Sequence, residues 1–506
     1  MKPKINGIIT LALFFLPIFL TAKITKGPYL TLPETTSMTI MWECDTDNPV
    51  EFIYWQKDKT PKKQIVNSFD NHDSLFLYRV RLNGLNVDQK YYYSIIAYED
   101  TSSSYFQTNP PKGKPFTFAS IGDSRSNHDI FNAIADGVSK LSPRLIISMG
   151  DLVKKGENFD DWGPHFFNPA KNVIDHIPHI STLGDHETLT NYNGYSFYYY
   201  FRNGVNVDKM WFSYDVGDVH FISLDYRGVN NKEMINWFKN DVKQSDAKWK
   251  IVYLHRPTYN LGGHRSNWGG EKWAQLYREN KIDVVFAGHS HIYERFYPMR
   301  PSTEKDAWPV TFITTGGAGA GLYDAVQNEC AAVSKSVNHY NLISISGDTL
   351  KFKSYQLDGN FLDDFKIVKS NGKYSAEYLS LVKPQDVMDI YMKFANKLVL
   401  SFNSIPTTET PSRQTIKFYG DNLPSNVPFQ LILSDKSSEH YRIEPLEGVL
   451  KKGETFSGTI VVYAKDKLKQ KQGYFDPPLS FNVVYTYNGK KYTVYGAQVE
   501  ILQNVN

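Results

Sequence analysis

The sequence predicts a multidomain protein in which a central α/β domain stands between an N-terminal β-sandwich and a C-terminal β-sandwich. Three observations carry that prediction. In the middle of the chain, apolar runs without alternation end in short polar motifs: SPRLIISMGD at Asp151, KWKIVYLH at His255 and KIDVVFAGHSH at His289 and His291. Continuous apolar runs of that length read as strands buried on both faces, as in a parallel sheet covered by helices. Before residue 110 and after residue 412 the pattern changes to short alternating runs broken by Asn, Asp, Gly and Pro, which read as antiparallel strands. Length agrees: 506 residues with 41% hydrophobic and 22% charged side chains exceed one core, and roughly two to four domains are expected.

The first segment, 1–22, places Lys2 and Lys4 before an apolar stretch ending in Thr21 and Ala22, the layout of a secretory signal cleaved after Ala22. Its run of about 14 apolar residues falls short of the roughly 20 that span a bilayer, so no stable membrane anchor is expected after cleavage. A secreted or periplasmic protein follows. An oxidising compartment permits a bridge between Cys44 and Cys330 without requiring one, and free buried thiols are the expected state.

In 23–110 the runs SMTIMWEC, VEFIYWQ, LFLYRVRL and KYYYSIIAYE give a small antiparallel sandwich, and TNPPKGKPF marks the exit from it. In 113–370, FTFASIGDS reads as a strand, and Ile130, Ile134, Val138 and Leu141 follow at helical spacing. Strand, helix, strand is the unit of a parallel sheet. VHFISLD and VTFITTGG are further strands, KEMINWFKNDV is a helix, and the alternation from His339 to Ile367 predicts a closing antiparallel meander. Residues 371–411 are expected as a linker with a helix in PQDVMDIYMKFAN and a Ser, Thr and Pro cluster after it. In 412–506 the strands resume, the last pair turning at Asn488 and Gly489.

A formal charge of +3 with scattered basic residues offers no concentrated field for a nucleic acid, so the expected partner is a small molecule. The pattern sets no oligomeric state.

Five polar motifs stand in order: GDS at Asp123, GDLV at Asp151, GDHE at Asp185 and His186, LHRP at His255, and GHSH at His289 and His291. In open α/β sheets, ligands bind beyond the carboxyl ends of strands, which is where these motifs fall. Two cations roughly 3.5 to 4 Å apart can clamp a phosphoryl group, acidify a water and neutralise a leaving oxygen. They need one shared ligand, and a carboxylate with two oxygens can bridge; neutral imidazoles serve as terminal ligands for zinc, iron or manganese. Asp151 is assigned the bridge, Asp123 and His291 one ion, and Asp185, His255 and His289 the other. Each motif alone is weak, since Gly-Asp after a strand is usually a turn; five in succession are not.

With these motifs the chain resembles the calcineurin-like metallophosphoesterases, and within them the purple acid phosphatases with a fibronectin-like N-terminal domain. KGPYLTLPETTSMTIMWE, GHSHIYER and TTGGAGAGLY carry the likeness over about residues 24 to 366. The resemblance implies a four-layer α/β/β/α sandwich, two metal ions on the positions assigned above, and a small phosphorylated substrate. It also implies His186 as the acid that protonates the leaving alcohol and, by a looser match in GGHRS, His264 as a second substrate contact; a surface loop is the alternative for His264.

Three positions depart from that pattern. Lys154 stands where purple enzymes have a tyrosine, so no phenolate-to-iron colour is expected. Asp185 replaces a neutral Asn and adds a negative charge beside one metal. Arg125 replaces a histidine; it either forks onto a phosphate oxygen or pairs with a nearby Asp. A serine hydrolase is disfavoured because GHSHI around Ser290 lacks the closing glycine of a nucleophile elbow. Gly316, Gly317, Gly319 and Gly321 are not followed by GK and a Ser or Thr, so close backbone packing accounts for them better than a phosphate cradle. The expected function is a secreted acid phosphatase-like monoesterase, the alternatives being a phosphodiesterase or nucleotidase of the same fold, or a secreted binding protein that has lost turnover.

Overall fold

The computed structural model describes residues 22–98, 100–199, 209–395, 398–400, 406–444, 446–465, 469–471, 474–476 and 479–501. The expected leader, apart from Ala22, lies outside them. Among the described residues no helix is long and apolar enough to cross a membrane.

From Ile24 to Gln107 the alternating runs form two four-stranded antiparallel sheets. One has the order Ile24–Thr31, Met38–Cys44, Leu75–Leu82, Ser68–His72; the other Lys62–Val66, Val50–Trp55, Lys90–Ala97, Asp100–Gln107. Trp42 fills the space between them, its ring 6.1 Å from Phe52 and 5.5 Å from Tyr78. Glu43, fully buried, accepts bonds from Lys26 at 2.6 Å and from the Tyr198 hydroxyl of the next domain at 2.7 Å, so the sandwich is keyed to its neighbour by a satisfied buried charge. Cys44 and Cys330 are both buried and free.

The central domain holds two seven-stranded sheets. The first runs His179–Ser181, Ile146–Ser148, Phe116–Ile121, His339–Ser346, Thr349–Gln356, Phe361–Ser370, Lys373–Tyr374. Its leading three strands are parallel, and the predicted meander completes it in antiparallel fashion. The second runs Phe212–Val216, Val219–Ser223, Trp249–Leu254, Val284–Ala287, Thr311–Thr315, Tyr293–Phe296, Ala331–Lys335. The sheets face each other across Phe118 and Phe221, 5.0 Å apart and edge-on.

Side-chain alternation explains the unbroken apolar runs. In Trp249–Leu254, Ile251 and Tyr253 enter the core between the sheets, whereas Val252 and Leu254 meet helices Lys232–Gln244 and Gly270–Glu279 on the outer face. Helices His128–Leu141 and Asn168–Ile174 cover the other sheet through Phe131, Ile134, Val138 and Val173. The result is the expected four layers, with the central strands, such as Trp249–Leu254 and Val284–Ala287, buried on both sides.

In Val219–Ser223, the strand beside the sheet edge, His220 bonds Asp215 at 2.7 Å and Asp241 at 2.9 Å. Burial opposes its protonation, but those two carboxylates carry its pKa up to about 9. A raised folded pKa stabilises below the unfolded value near 6.5 and is lost as pH rises through about 9. Chemical denaturation of His220→Gln is therefore expected to show a deficit of about 1–3 kcal/mol at pH 6 that shrinks towards pH 9. A deficit independent of pH would assign it to packing instead.

The last domain pairs a five-stranded sheet, order Leu398–Leu400, Lys490–Ile501, Ser480–Tyr487, Val427–Leu433, Leu446–Leu450, with a three-stranded one, order Ser412–Tyr419, Thr455–Ala464, Tyr441–Ile443. The Asn488–Gly489 turn has φ of 49° and 74°, the two left-handed residues a tight hairpin requires. The helix expected within the 371–411 linker is present. This helix, Gln385–Ala395, is buried on nearly every side, with Phe394 5.2 Å from Phe429 and 5.6 Å from Tyr485. One continuous apolar core thus runs from the central domain through this helix into the last sandwich.

Candidate metal centre

The three aspartate motifs follow the three parallel strands of the first sheet, and His255 and His289 follow two strands of the second. The site is therefore the seam where the carboxyl ends of both sheets meet. Asp123, Asp151 and His289 turn sharply there with φ of 60°, 55° and 64°. Such strained backbone persists only where its surroundings over-determine it. Close approach requires glycine too: a Cβ on Gly288 would lie 2.4 Å from Asp123 Oδ2, and one on Gly316 would lie 2.3 Å from the Ser290 carbonyl. Gly316, Gly317 and Gly319 thus serve close packing, whereas a Cβ on Gly321 would meet nothing within 4 Å.

All six candidate ligands reach this seam. Donor atoms of Asp185, His255 and His289 lie within 4.8 Å of one another, as do those of Asp123, Asp151 and His255. His255 faces both groups, and His291 Nε2 stands 3.6 Å from Asp123 Oδ1. His255 and His291 donate from Nδ1 to the carbonyls of Met149 at 2.7 Å and Gly321 at 2.6 Å, which turns Nε2 of each inward. His186 is oriented in the same way, Nδ1 bonding the Lys154 carbonyl at 2.7 Å and Nε2 lying 3.9 Å from Asp151 Oδ2. His264 stacks on His289 with ring centres 4.3 Å apart, so the loop that carries it does reach the centre. Arg125 takes the second of its two expected partners here, Nε bonding Asp151 Oδ2 at 3.1 Å.

Charge in the seam is unbalanced. Burial, then the charge of Asp151, pushes the Asp123 carboxyl well above its usual range. Burial also opposes ionisation of Asp151 and Asp185. For Asp151 this is outweighed by His255, His186 and Arg125; for Asp185 by His289, His255 and a two-pronged bond from Arg256, and both are held low. Burial draws His291 and His264 down to about 4, leaving neutral imidazoles. Adjacent carboxylates that cannot both ionise comfortably, with neutral ring nitrogens beside them, suit divalent cations. His255 Nε2 is buried without a hydrogen-bond partner, which fits a nitrogen able to ligate a cation.

Two contributors escaped the sequence reading. Glu187, fully buried, accepts the backbone N–H groups of Asp151 and Gly184 at 2.8 Å, Leu152 at 2.7 Å and Val153 at 3.3 Å, tying the GDLV and GDHE loops together. Burial and the charge of Asp151 push its carboxyl up to about 8, while those N–H donors pull the other way. Arg256 donates from Nε at 3.0 Å and Nη2 at 3.0 Å to opposite oxygens of Asp185, with the Tyr226 ring 5.0 Å beneath it. Its signal was available, because a carboxylate replacing a neutral amide calls for a counter-charge. Ser290, disfavoured above as a nucleophile, accepts the His264 N–H at 3.1 Å and so has a local structural bond.

Residues 116–293 match the model of the calcineurin-like phosphoesterases, so this segment carries a domain similar to that family. Residues 25–109 match the model of the N-terminal domain of purple acid phosphatases. Among curated relatives, purple acid phosphatase 1 of Ipomoea batatas is 26% identical over 310 residues, covering 54% of this chain and 63% of its own. Fe(3+)-Zn(2+) purple acid phosphatase 12 of Arabidopsis thaliana is 24% identical over 281 residues, covering 48% of this chain and 58% of its own. The match thus spans about six-tenths of the length of these relatives. A solved purple acid phosphatase, PPD1 from yellow lupin (Lupinus luteus) seeds, superposes with a TM-score of 0.60 at 17% identity, covering 70% of this chain and 75% of that one, which is a likeness of fold.

Proposed function

We propose that this protein is an exported dinuclear metal-dependent phosphatase acting on phosphate monoesters. The observation that carries the reading is the convergence of three aspartates from one sheet and histidines from the other around the unpartnered Nε2 of His255. Asp151 would bridge two ions, with Asp123 and His291 on one and Asp185, His255 and His289 on the other. When bound, the ions supply Lewis acidity to a phosphoryl oxygen and to the attacking water.

The chain's own groups do the rest. His186, fixed by the Lys154 carbonyl, turns Nε2 towards the seam, where in the imidazolium form its Nε2 proton can go to the departing alcohol oxygen and leave the neutral ring. Arg125, held beside Asp151, has a guanidinium fork that can exchange its carboxylate for a phosphate oxygen. Arg256 offsets the extra charge of Asp185. His264, stacked over His289, walls the mouth. Two arginines at the rim favour a dianionic monoester.

A diester is the second reading. It draws on an open cleft of about 500 Å³ lined by Ser126, Asn127 and Gly319–Leu322, which could take a second substituent. Secretion rests on the leader at 1–22.

The test is hydrolysis of p-nitrophenyl phosphate and bis(p-nitrophenyl) phosphate by the protein from Lys23 onward, stripped by chelator and titrated with manganese, zinc or iron. Monoester turnover returning with about two ions per chain is expected. The ion at Asp123 and His291, with the fewest protein ligands, should leave first, and the iron-loaded protein should be colourless because Lys154 supplies no phenolate. Faster diester turnover would favour the second reading; metal uptake without turnover would leave a binding protein.

A further inference from the structure

We infer that the C-terminal sandwich is a working part of the catalytic site: it positions the loop that carries His264. That loop, Tyr259 to Trp268, is held from two sides. From within the central domain, fully buried Glu294 accepts the Asn260 side chain at 3.0 Å and the Leu261 N–H at 3.0 Å, and Ser290 Oγ accepts the His264 N–H at 3.1 Å. From outside it, the Tyr259 hydroxyl donates to Asp389 of helix Gln385–Ala395 at 2.5 Å, and Arg265 donates from Nη2 to the carbonyl of Tyr495 in strand Lys490–Ile501.

The Tyr495 carbonyl is available because the ladder is interrupted at that point. Phe481 pairs with Ala497 and Val483 with Val494, so Asn482 alone opposes Tyr495 and Gly496. This is a β-bulge, which leaves one residue unpaired and re-aims its groups. Gly496 has a φ of 59°, and its N–H is taken by the Asn482 side chain at 2.8 Å, fixing the bulge. Arg265 itself has a φ of 51°, a conformation a side-chain-bearing residue keeps only when its surroundings hold it. Its neighbour His264 stacks on His289, so the chain of contacts runs from Asn482 through the bulge and Arg265 to a ring in the metal centre. Arg265 and Asn482 are thus positioning residues, acting on substrate only through His264.

The kinetic arm below rests on the phosphatase reading, whereas the exchange arm does not. Amide hydrogen exchange on the full chain compares wild type with Arg265→Ala, Arg265→Lys and Asn482→Ala. Exchange across 259–268 should quicken about tenfold or more in both alanine variants, the scale of one lost charge-assisted bond, with Arg265→Lys close to wild type. For p-nitrophenyl phosphate, Arg265→Ala should raise KM about tenfold with a smaller change in kcat, and His264→Ala combined with it should add nothing further. If Arg265→Ala misfolds, Asn482→Ala, remote from the metals, decides. Unchanged exchange in 259–268, or additive losses in the double variant, would overturn the inference. An inactive wild type with quickened exchange in the variants would sink the phosphatase reading and leave the positioning role standing.

Discussion

Asp151→Ala is expected to abolish turnover, by at least about a thousandfold, and to release metal from both positions at once. The size follows from what the carboxylate touches. Its Oδ1 accepts the His186 N–H at 2.9 Å and lies 3.4 Å from His255 Nε2, while its Oδ2 holds Arg125 at 3.1 Å. On the proposed assignment, removing it would take away the shared ligand and loosen His186 and Arg125 together, so several kcal/mol of transition-state stabilisation would go with one side chain. Metal analysis of the purified variant, beside a melting curve showing that it folds, checks the prediction. Retention of two ions per chain would move the bridge to another residue. Glu187→Gln offers the graded counterpart: it keeps the ligands but weakens the acceptor that ties the GDLV and GDHE loops, so a partial loss of metal affinity, about ten- to a hundredfold, is expected.

His186→Asn is expected to lower kcat by about a hundredfold or more with metal content unchanged. Its Nδ1 is engaged by the Lys154 carbonyl and its Nε2 stands 3.9 Å from Asp151 Oδ2, so on the proposed reading the imidazolium form would present an Nε2–H to a departing oxygen. Proton donation matters most when the departing alcohol is a poor leaving group. The loss should therefore be larger for an alkyl phosphate than for p-nitrophenyl phosphate, whose phenolate departs readily without help. An equal loss for both substrates would make His186 a binding group, and no loss would remove it from the reaction.

Local pattern carried a long way here. Period-two alternation marked the strands of both sandwiches, and apolar spacing marked helix His128–Leu141, because those rules act over a few residues. The order of the five motifs along the chain likewise marked the side chains that the fold brings to one seam. The helix Gln385–Ala395 shows where local reading stopped. Its sequence is helical enough to be named, but whether Phe394 faces water or Tyr485 depends on a sandwich some ninety residues later, so local pattern named the helix and not its burial.

The division between sequence and tertiary structure is sharpest at the site. Residue chemistry by itself determined that carboxylates and imidazoles would end strands, and hence that metal-assisted chemistry was in prospect. Only the packing of two separate sheets decided that the aspartates come from one and His255 and His289 from the other, and that Glu187, Arg256 and Arg265 serve them. The reason is physical: residue chemistry is a property of one side chain, whereas a hydrogen bond between residues far apart in the chain exists only after the intervening chain has folded. The bond from Arg265 to Tyr495 is of that kind, and sequence spacing has no means of registering it.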